Sequence, residues 1–313
     1  MKYNQLINES PAVSEIGLGA WQLGVESGWK AMTEREAIAL VQTSFEMGVN
    51  FYDTAPNYGK GTSELRLGKA LKGYGRNKLV VNTKFGHTDT GGTDYSSNSI
   101  RRSLEGSLKR LQMDYVDSLI LHNPPPEYLD GNRNDHYELL EQLKTEGKIK
   151  AYGASLDTFK EIETLLQTTN SKVIEVFFNL FHQDAARAFD LAKEKNVGII
   201  VKIPLDSGWL TGKYNEHSIF NDIRKRWSKS DIRTRAVLVD SVKKIIGPQA
   251  NLAHTALSFC LAYDAVSTVI PGNTSMQQLK ENLSAVSKPV SKTLVQQLET
   301  FYEEEVKSLH IPW

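Results

Sequence analysis

Phe51-Tyr52-Asp53-Thr54-Ala55-Pro56-Asn57-Tyr58-Gly59 decides how this chain is read. A short apolar run ends in a carboxylate and reaches a tyrosine in the turn beyond, which is the pattern of a strand feeding a loop. In parallel α/β proteins chemistry gathers at the carboxyl ends of strands, so Asp53 and Tyr58 are placed at one mouth. Two comparable strand ends follow. Leu79-Val80-Val81-Asn82-Thr83-Lys84 stops at a lysine before Phe85-Gly86, and Val116-Asp117-Ser118-Leu119-Ile120-Leu121-His122 stops at a histidine before Asn123-Pro124.

Outward from that stretch, strand and helix patterns alternate. Ile16-Gly17-Leu18-Gly19 forms a first strand, and Thr33 with Glu36 makes a capping box that opens a helix with Ala37, Ile38, Leu40, Val41 and Phe45 on its apolar face. The remaining strands are expected at 50–53, 79–84, 115–121, 149–154, 173–178, 197–201 and 266–270, with helical patterns between them. Eight units in succession point to a closed (β/α)8 TIM barrel, because a parallel strand reaches its neighbour only through a crossover. The turn signals of Asn8-Glu9-Ser10-Pro11 place an N-terminal hairpin at one end of the barrel, and 291–306 reads as an extra C-terminal helix. At 313 residues, one domain spanning 1–313 is expected, since such barrels take about 250 residues plus insertions.

Composition narrows the function. Thirty-seven basic residues balance 37 acidic ones without long runs of either sign, so neither nucleic acid nor an anionic membrane is expected as partner. Cys260 is the single cysteine and sits in an apolar helical setting, which suits a reducing compartment. The N-terminus lacks an apolar leader and no stretch approaches the roughly 18 apolar residues of a spanning helix. A cytoplasmic protein with a small-molecule partner is the expectation.

Singly, a Lys or Asp at a strand end is more often half of a structural ion pair. The conjunction on the second, third and fourth strands of one barrel reads differently. Lys84 beside Tyr58 would favour the phenolate and lower the hydroxyl's ordinary pKa near 10, while Asp53 would offset the burial of the ammonium. His122 would hold a carbonyl oxygen. Such a set suits protonation of that oxygen while hydride reaches its carbon.

Asp53-Thr54-Ala55 with Tyr58-Gly59 and Ser63-Glu64, then Thr83-Lys84-Phe85-Gly86, then Leu121-His122-Asn123-Pro124 resemble the aldo-keto reductases, NAD(P)H-dependent (β/α)8-barrel oxidoreductases. The resemblance implies that Asp53, Tyr58, Lys84 and His122 are catalytic. It continues through Pro204-Leu205-Asp206-Ser207-Gly208-Trp209-Leu210-Thr211-Gly212-Lys213-Tyr214, similar to the family's pyrophosphate loop, and through Ile270-Pro271-Gly272-Asn273-Thr274 with Gln278, Glu281 and Asn282, similar to its adenosine segment. It thus implies cofactor contacts from Ala20, Trp21, Asp53, Ser155, Glu175, Lys202, Pro204, Leu205, Ser207, Gly208, Leu210, Lys213, Gly272, Asn273, Thr274, Gln278, Glu281 and Asn282, and no metal. NADP is the default cofactor by resemblance, with NAD as the alternative.

Three departures stand out: Leu156 rather than Asn follows Ser155, Glu175 replaces the usual Gln, and Lys202 stands where many members carry an aromatic. If both point into the mouth, Glu175 and Lys202 are expected to pair directly. Arg224-Lys225-Arg226-Trp227 reads as a solvated loop face that can also reach over the cofactor. His87 lines the substrate mouth or is merely exposed, and Trp21, Trp29 and Trp209 are candidate walls of a substrate pocket, with ordinary packing as the competing account. The reading is an enzyme interconverting aldehydes or ketones, aldoses among them, with alcohols, Tyr58 being the general acid. A cofactor-sensing binding subunit like the potassium-channel β subunits, which resemble this family, is the alternative. Those subunits carry Asn at the position of His122, and the intact set here, with no added N-terminal segment, favours the enzyme.

Overall fold

A computed structural model describes residues 1–26 and 31–312. Trp29, one of the candidate pocket walls, lies outside the described residues. Strands β1 (Tyr3–Asn4) and β2 (Val13–Ser14) form the expected antiparallel hairpin, Tyr3 opposite Ser14. Eight further strands follow: β3 (Leu18–Gly19), β4 (Phe51–Asp53), β5 (Val80–Phe85), β6 (Val116–His122), β7 (Ile149–Leu156), β8 (Val173–Phe177), β9 (Gly198–Lys202) and β10 (Val266–Val269). They lie side by side in chain order, every neighbouring pair parallel. Parallel bridges from Ile16 to Val269 and from Gly19 to Gly272 join the first strand to the last, giving the (β/α)8 barrel.

Helices α1 (Glu34–Glu46), α2 (Thr62–Leu71), α3 (Ser97–Leu111), α4 (His136–Thr145), α5 (Phe159–Thr168) and α6 (Phe189–Glu194) alternate with the strands. Two more, α7 (Lys229–Ile246) and α8 (Leu252–Cys260), occupy the connection before β10, and α9 (Met276–Ser284) follows it. The extra C-terminal helix is α10 (Lys292–Phe301), continued by a π-helical turn over Tyr302–Val306. Among the described residues no helix is long and apolar enough to cross a membrane.

Local chemistry sets these boundaries. Thr33 caps α1 through its hydroxyl, which accepts from the Glu36 amide at 3.3 Å, while the Glu36 carboxylate accepts from the Thr33 amide at 2.8 Å. The buried face of α1 is Ala37, Leu40, Val41 and Ser44, whereas Ile38 and Phe45 are only partly covered. Ser44 tolerates the interior because its hydroxyl bonds the Val41 carbonyl at 2.7 Å.

Period-two alternation divides each strand between two environments. Outward-facing Tyr52, Val81, Leu119, Leu121 and Ile199 pack with the helices. Facing inward, Phe51, Val80, Ile120, Ala151, Val173, Ile200 and Ile270 make a separate cluster, closed by Leu6, Ile7 and Val13 of the hairpin segment. The hairpin therefore plugs the bottom of the barrel. One or two inward steps further along, the same parity delivers Asp53, Asn82, Lys84, His122, Ser155, Glu175 and Lys202 to the carboxyl end, so apolar inward positions serve stability and polar ones the upper mouth.

Candidate active site

Tyr58 is held by backbone. Its amide donates to the Ala55 carbonyl at 3.2 Å and its carbonyl accepts from the Ser63 amide at 3.2 Å, at the entrance to α2. Gly59 adopts φ +59°, and a Cβ there would lie 2.1 Å from the Gly24 carbonyl oxygen. Gly59→Ala is expected to force the two loops apart, costing about 2 kcal/mol or more and lowering turnover with it. Thermal unfolding checks this, and a variant with the parent midpoint and activity would show that the close approach is unimportant.

Beneath the tyrosine, the fully buried Lys84 ammonium lies 2.6 Å from Asp53 Oδ1, 3.2 Å from Glu175 Oε2 and 3.3 Å from the Tyr58 hydroxyl, and donates to the Thr54 carbonyl at 3.2 Å. The other Asp53 oxygen accepts from Asn82 Nδ2 at 2.6 Å, and Asn82 in turn accepts from the Ser118 hydroxyl. Burial drives the Asp53 carboxyl up to about 7, reinforced by the nearby Glu175 charge and opposed by Lys84. Glu175 is also penalised by burial, yet Lys84 and Lys202 together hold it below the ordinary carboxylate range. Lys84 is held above its ordinary value: burial opposes the charge, and the two carboxylates outweigh it.

The Tyr58 hydroxyl departs from expectation. Burial raises it above its ordinary value although Lys84 pulls it down, because Asp53 and Glu175 both oppose the ammonium. The phenol is accordingly protonated at neutral pH. His122 stands edge-on to it, ring centroids 5.7 Å apart, with His87 tilted against His122 at 4.6 Å. His87 thus lines the mouth. Its imidazole is lowered by burial, and that of His122 falls well below the ordinary value through burial and then through Lys84, His87 and Lys202. His122 is therefore neutral, and its Nδ1 is buried without a hydrogen-bond partner. Tyr95 fixes the backbone here, its hydroxyl donating to the carbonyls of His122 and Asn123.

Glu175 and Lys202 both point inward, but the pair expected in that case does not form. The nearest cation to Glu175 is Lys84, and Lys202 pairs with Asp157 at 2.8 Å. Ser155 stands between them, donating to Glu175 Oε1 at 3.0 Å and accepting from Lys202 Nζ at 2.9 Å. Asn123 completes the group, its Oδ1 accepting from Lys202 at 3.0 Å and its Nδ2 donating to Asp157 at 3.1 Å. Asn123 and Asp157 were missed from the sequence. Asn123 takes φ +48° before Pro124, a conformation that asparagine tolerates better than most residues, and nothing in the sequence marked Asp157.

The segments expected to hold the cofactor lie along the same rim. Ala20 is buried and donates its amide to the Asp53 carbonyl at 2.8 Å, Trp21 is half-buried beside it, and Gly272 is exposed where it bridges Gly19. In 203–212, Ile203, Asp206, Ser207, Gly208 and Gly212 all have positive φ, so the backbone curls into a cradle of the kind that meets phosphate. Asp206 pins the cradle from below by a buried ion pair with Arg235 at 3.1 Å. Pro204, Leu205, Ser207 and Gly208 form the cradle and Lys213 is exposed at its end, whereas Leu210 turns into the core. Around α9, Ser275 caps the helix, Thr274 bonds Gln278 at 2.6 Å, Asn282 bonds Asn273 at 2.8 Å, and Glu281 accepts from Gln277 at 2.7 Å. Hydroxyls, amides and a helix N-terminus are a donor set that fits a phosphate-bearing nicotinamide cofactor.

Burial decides two readings left open: Lys225 and Arg226 are exposed as a loop face, but Trp209 and Arg224 are not. Trp209 is fully buried among Tyr214, Phe220 and Trp227, so it packs and does not wall a pocket. Arg224 is no solvated face: it is buried, pairs with Asp222 at 2.6 Å, donates to the Tyr214 hydroxyl at 2.6 Å and reaches the Ser207 carbonyl at 3.3 Å, clamping the cradle. Alternation in sequence cannot reveal this, because the loop folds back on itself. Among the described residues no group of acidic, His or Cys side chains could hold a metal ion.

A parallel barrel whose upper mouth joins a lysine-bound tyrosine, a neutral histidine and a phosphate cradle belongs to the nicotinamide-dependent oxidoreductases. The sequence profile of the Aldo/keto reductase family matches residues 15–303, and the chain belongs to that family, whose members carry out NAD(P)H-dependent reduction of small carbonyl compounds. It is 31% identical to the L-galactose dehydrogenase of Arabidopsis thaliana over 97% of this chain and 95% of the relative. It is 30% identical to a probable voltage-gated potassium channel subunit beta of Oryza sativa subsp. japonica, over 91% of each. An aldo-keto reductase from Bacillus halodurans, solved in its holo form, superimposes with a TM-score of 0.81 at 27% identity, covering 98% of this chain and 99% of that one.

Proposed function

We propose that the chain interconverts aldehydes or ketones, aldoses among them, with alcohols, using Tyr58 as the general acid and base. The reading rests on one observation: the Tyr58 hydroxyl lies 3.3 Å from a buried ammonium and beside a neutral imidazole. The bound nicotinamide supplies or accepts hydride at the substrate carbon. In reduction, Tyr58 gives its proton to the carbonyl oxygen while Lys84 stabilises the phenolate left behind. Neutral His122 orients that oxygen by a hydrogen bond. Asp53 keeps Lys84 charged and directed at the hydroxyl. Oxidation runs the same steps backwards, Tyr58 taking the proton from the alcohol.

Ser155, Lys202 and Glu175 would surround the nicotinamide end, Ser207, Gly208 and Lys213 the pyrophosphate, and Asn273, Thr274, Gln278 and Asn282 the adenosine end. At the positions where family members that choose NADPH commonly carry Arg or Lys, this chain has the neutral Asn273, Thr274, Ser275 and Gln278, with exposed Lys280 further along α9 and the Arg224 to Arg226 run as the other source of positive charge. NADP remains the expected cofactor by family, but a phosphate is best met by a guanidinium or ammonium, so weak discrimination is expected. A preference for NADPH over NADH above roughly a thousandfold, about 4 kcal/mol, would contradict this.

A panel of aldehydes, ketones, aldoses and alcohols with NADH, NADPH and their oxidised forms, followed at the nicotinamide absorbance band, tests the activity. Turnover with at least one carbonyl or alcohol class is expected. Tight cofactor binding with no change across the whole panel would instead support a cofactor-sensing subunit.

A further inference from the structure

Lys84 has two carboxylates, and only Asp53 was needed to explain its burial. Asp53 lies 2.6 Å from the ammonium and Glu175, reaching from β8 on the far side of the mouth, lies 3.2 Å away. Both carboxylates are buried, with 3% side-chain exposure each, so their charges act in a medium that screens them little. Glu175 and Tyr58 share one ammonium, 3.2 Å from the carboxylate and 3.3 Å from the hydroxyl. We propose that Glu175 is a positioning residue which, by sharing the Lys84 charge with Asp53, sets the pH at which Tyr58 exchanges its proton with substrate. This deepens the functional reading above and rests on it.

The electrostatics have a definite sign. A lone Asp53 would leave Lys84 free to stabilise a phenolate. A second carboxylate cancels more of that positive charge, and Tyr58 is accordingly raised by Asp53 and Glu175 while Lys84 lowers it. The other titratable groups facing this point are His122 from β6, His87 from the loop after β5, and Lys202 from β9. The two histidines are held neutral, and Lys202 is engaged by Ser155, Asn123 and Asp157. None of them replaces the charge that Glu175 brings; only Asp53, which Glu175 helps hold at about 7, restores part of it by ionising more fully when Glu175 is neutralised. Ser155 fixes the carboxylate by donating to Oε1 at 3.0 Å, which leaves Oε2 turned to Lys84.

Glu175→Gln keeps the shape and removes the charge. Alcohol oxidation needs the phenolate and rises with pH through its midpoint, whereas carbonyl reduction needs the hydroxyl and falls on the alkaline side. Measured as kcat/KM against pH in both directions, both limbs of Glu175→Gln are expected to move to lower pH by about half a unit to one unit, the fuller ionisation of Asp53 offsetting the rest, making oxidation about threefold to tenfold faster at a fixed pH below the midpoint. A merely structural role would lower both rates without moving either limb. Glu175→Asp retains the charge one methylene further from Lys84, and its limbs should fall between those of the parent and Glu175→Gln; if the Gln variant does not fold, that displacement carries the test. Limbs that superimpose on the parent in the soluble variants overturn the role of Glu175 while leaving the reaction intact. A parent protein inert in both directions overturns the functional reading, and this inference with it.

Discussion

Tyr58→Phe is expected to lower carbonyl turnover by roughly a hundredfold to ten-thousandfold, the range that a positioned general acid contributes, with cofactor affinity nearly unchanged. The substitution removes one oxygen, the atom 3.3 Å from Lys84 Nζ, and leaves the ring against His122. No other hydroxyl touches Lys84 among the described residues, so nothing stands ready to replace the proton donor. Steady-state kinetics with a cofactor titration by tryptophan fluorescence separates the two effects. Near-parent turnover would remove Tyr58 from its role, and loss of cofactor affinity of the same size as the loss of rate would mean that it supports binding instead.

Lys84→Met should be the most damaging substitution to the fold at this site. It leaves Asp53 and Glu175 buried together without the ammonium between them, and removing one partner of such a buried group costs about 3–5 kcal/mol. The deficit should depend on pH. With Lys84 present, Asp53 is already raised to about 7, above the value near 3.9 of an unfolded chain. Between those values the native state holds more protons than the unfolded one, so this group's stabilising contribution is full at low pH and is lost as pH rises through about 7. Losing the cation raises both carboxyls and extends that window upward, so the gap between variant and parent widens from pH 5.5 to 8.5. Urea unfolding at the two values reads it; an equal or narrower gap at the higher pH would contradict the assignment of Lys84 as their shared counter-ion.

Which parts of this site were legible in the sequence follows from the range of the interactions. Asp53, Lys84 and His122 end consecutive strands, and a closed parallel barrel puts such ends side by side. The hairpin was marked by its turn residues and α1 by its capping box. Strand parity left open whether Glu175 and Lys202 both face the mouth, and both do. What parity does not give is the reach of a long side chain across the mouth: Lys84 extends from β5 to a carboxylate on β8, and Lys202 leans back to Ser155 and Asp157 at the end of β7. Nearest-strand reasoning therefore joined two residues that a serine separates. Arg224 and Trp209 stayed open for a different reason, since a connection that packs on itself buries residues with no periodic pattern to announce it.

The central claim is that hydride passes between the cofactor and a carbonyl carbon in the mouth above Tyr58. Reduced cofactor carrying deuterium at the transferable position of the nicotinamide C4, incubated with the best carbonyl substrate of the panel, tests it most directly by mass spectrometry of the product. One deuterium on the former carbonyl carbon is expected for each cofactor oxidised, with the hydroxyl proton drawn from exchangeable hydrogen. Alcohol formed without that deuterium, or cofactor oxidised without alcohol, would contradict it.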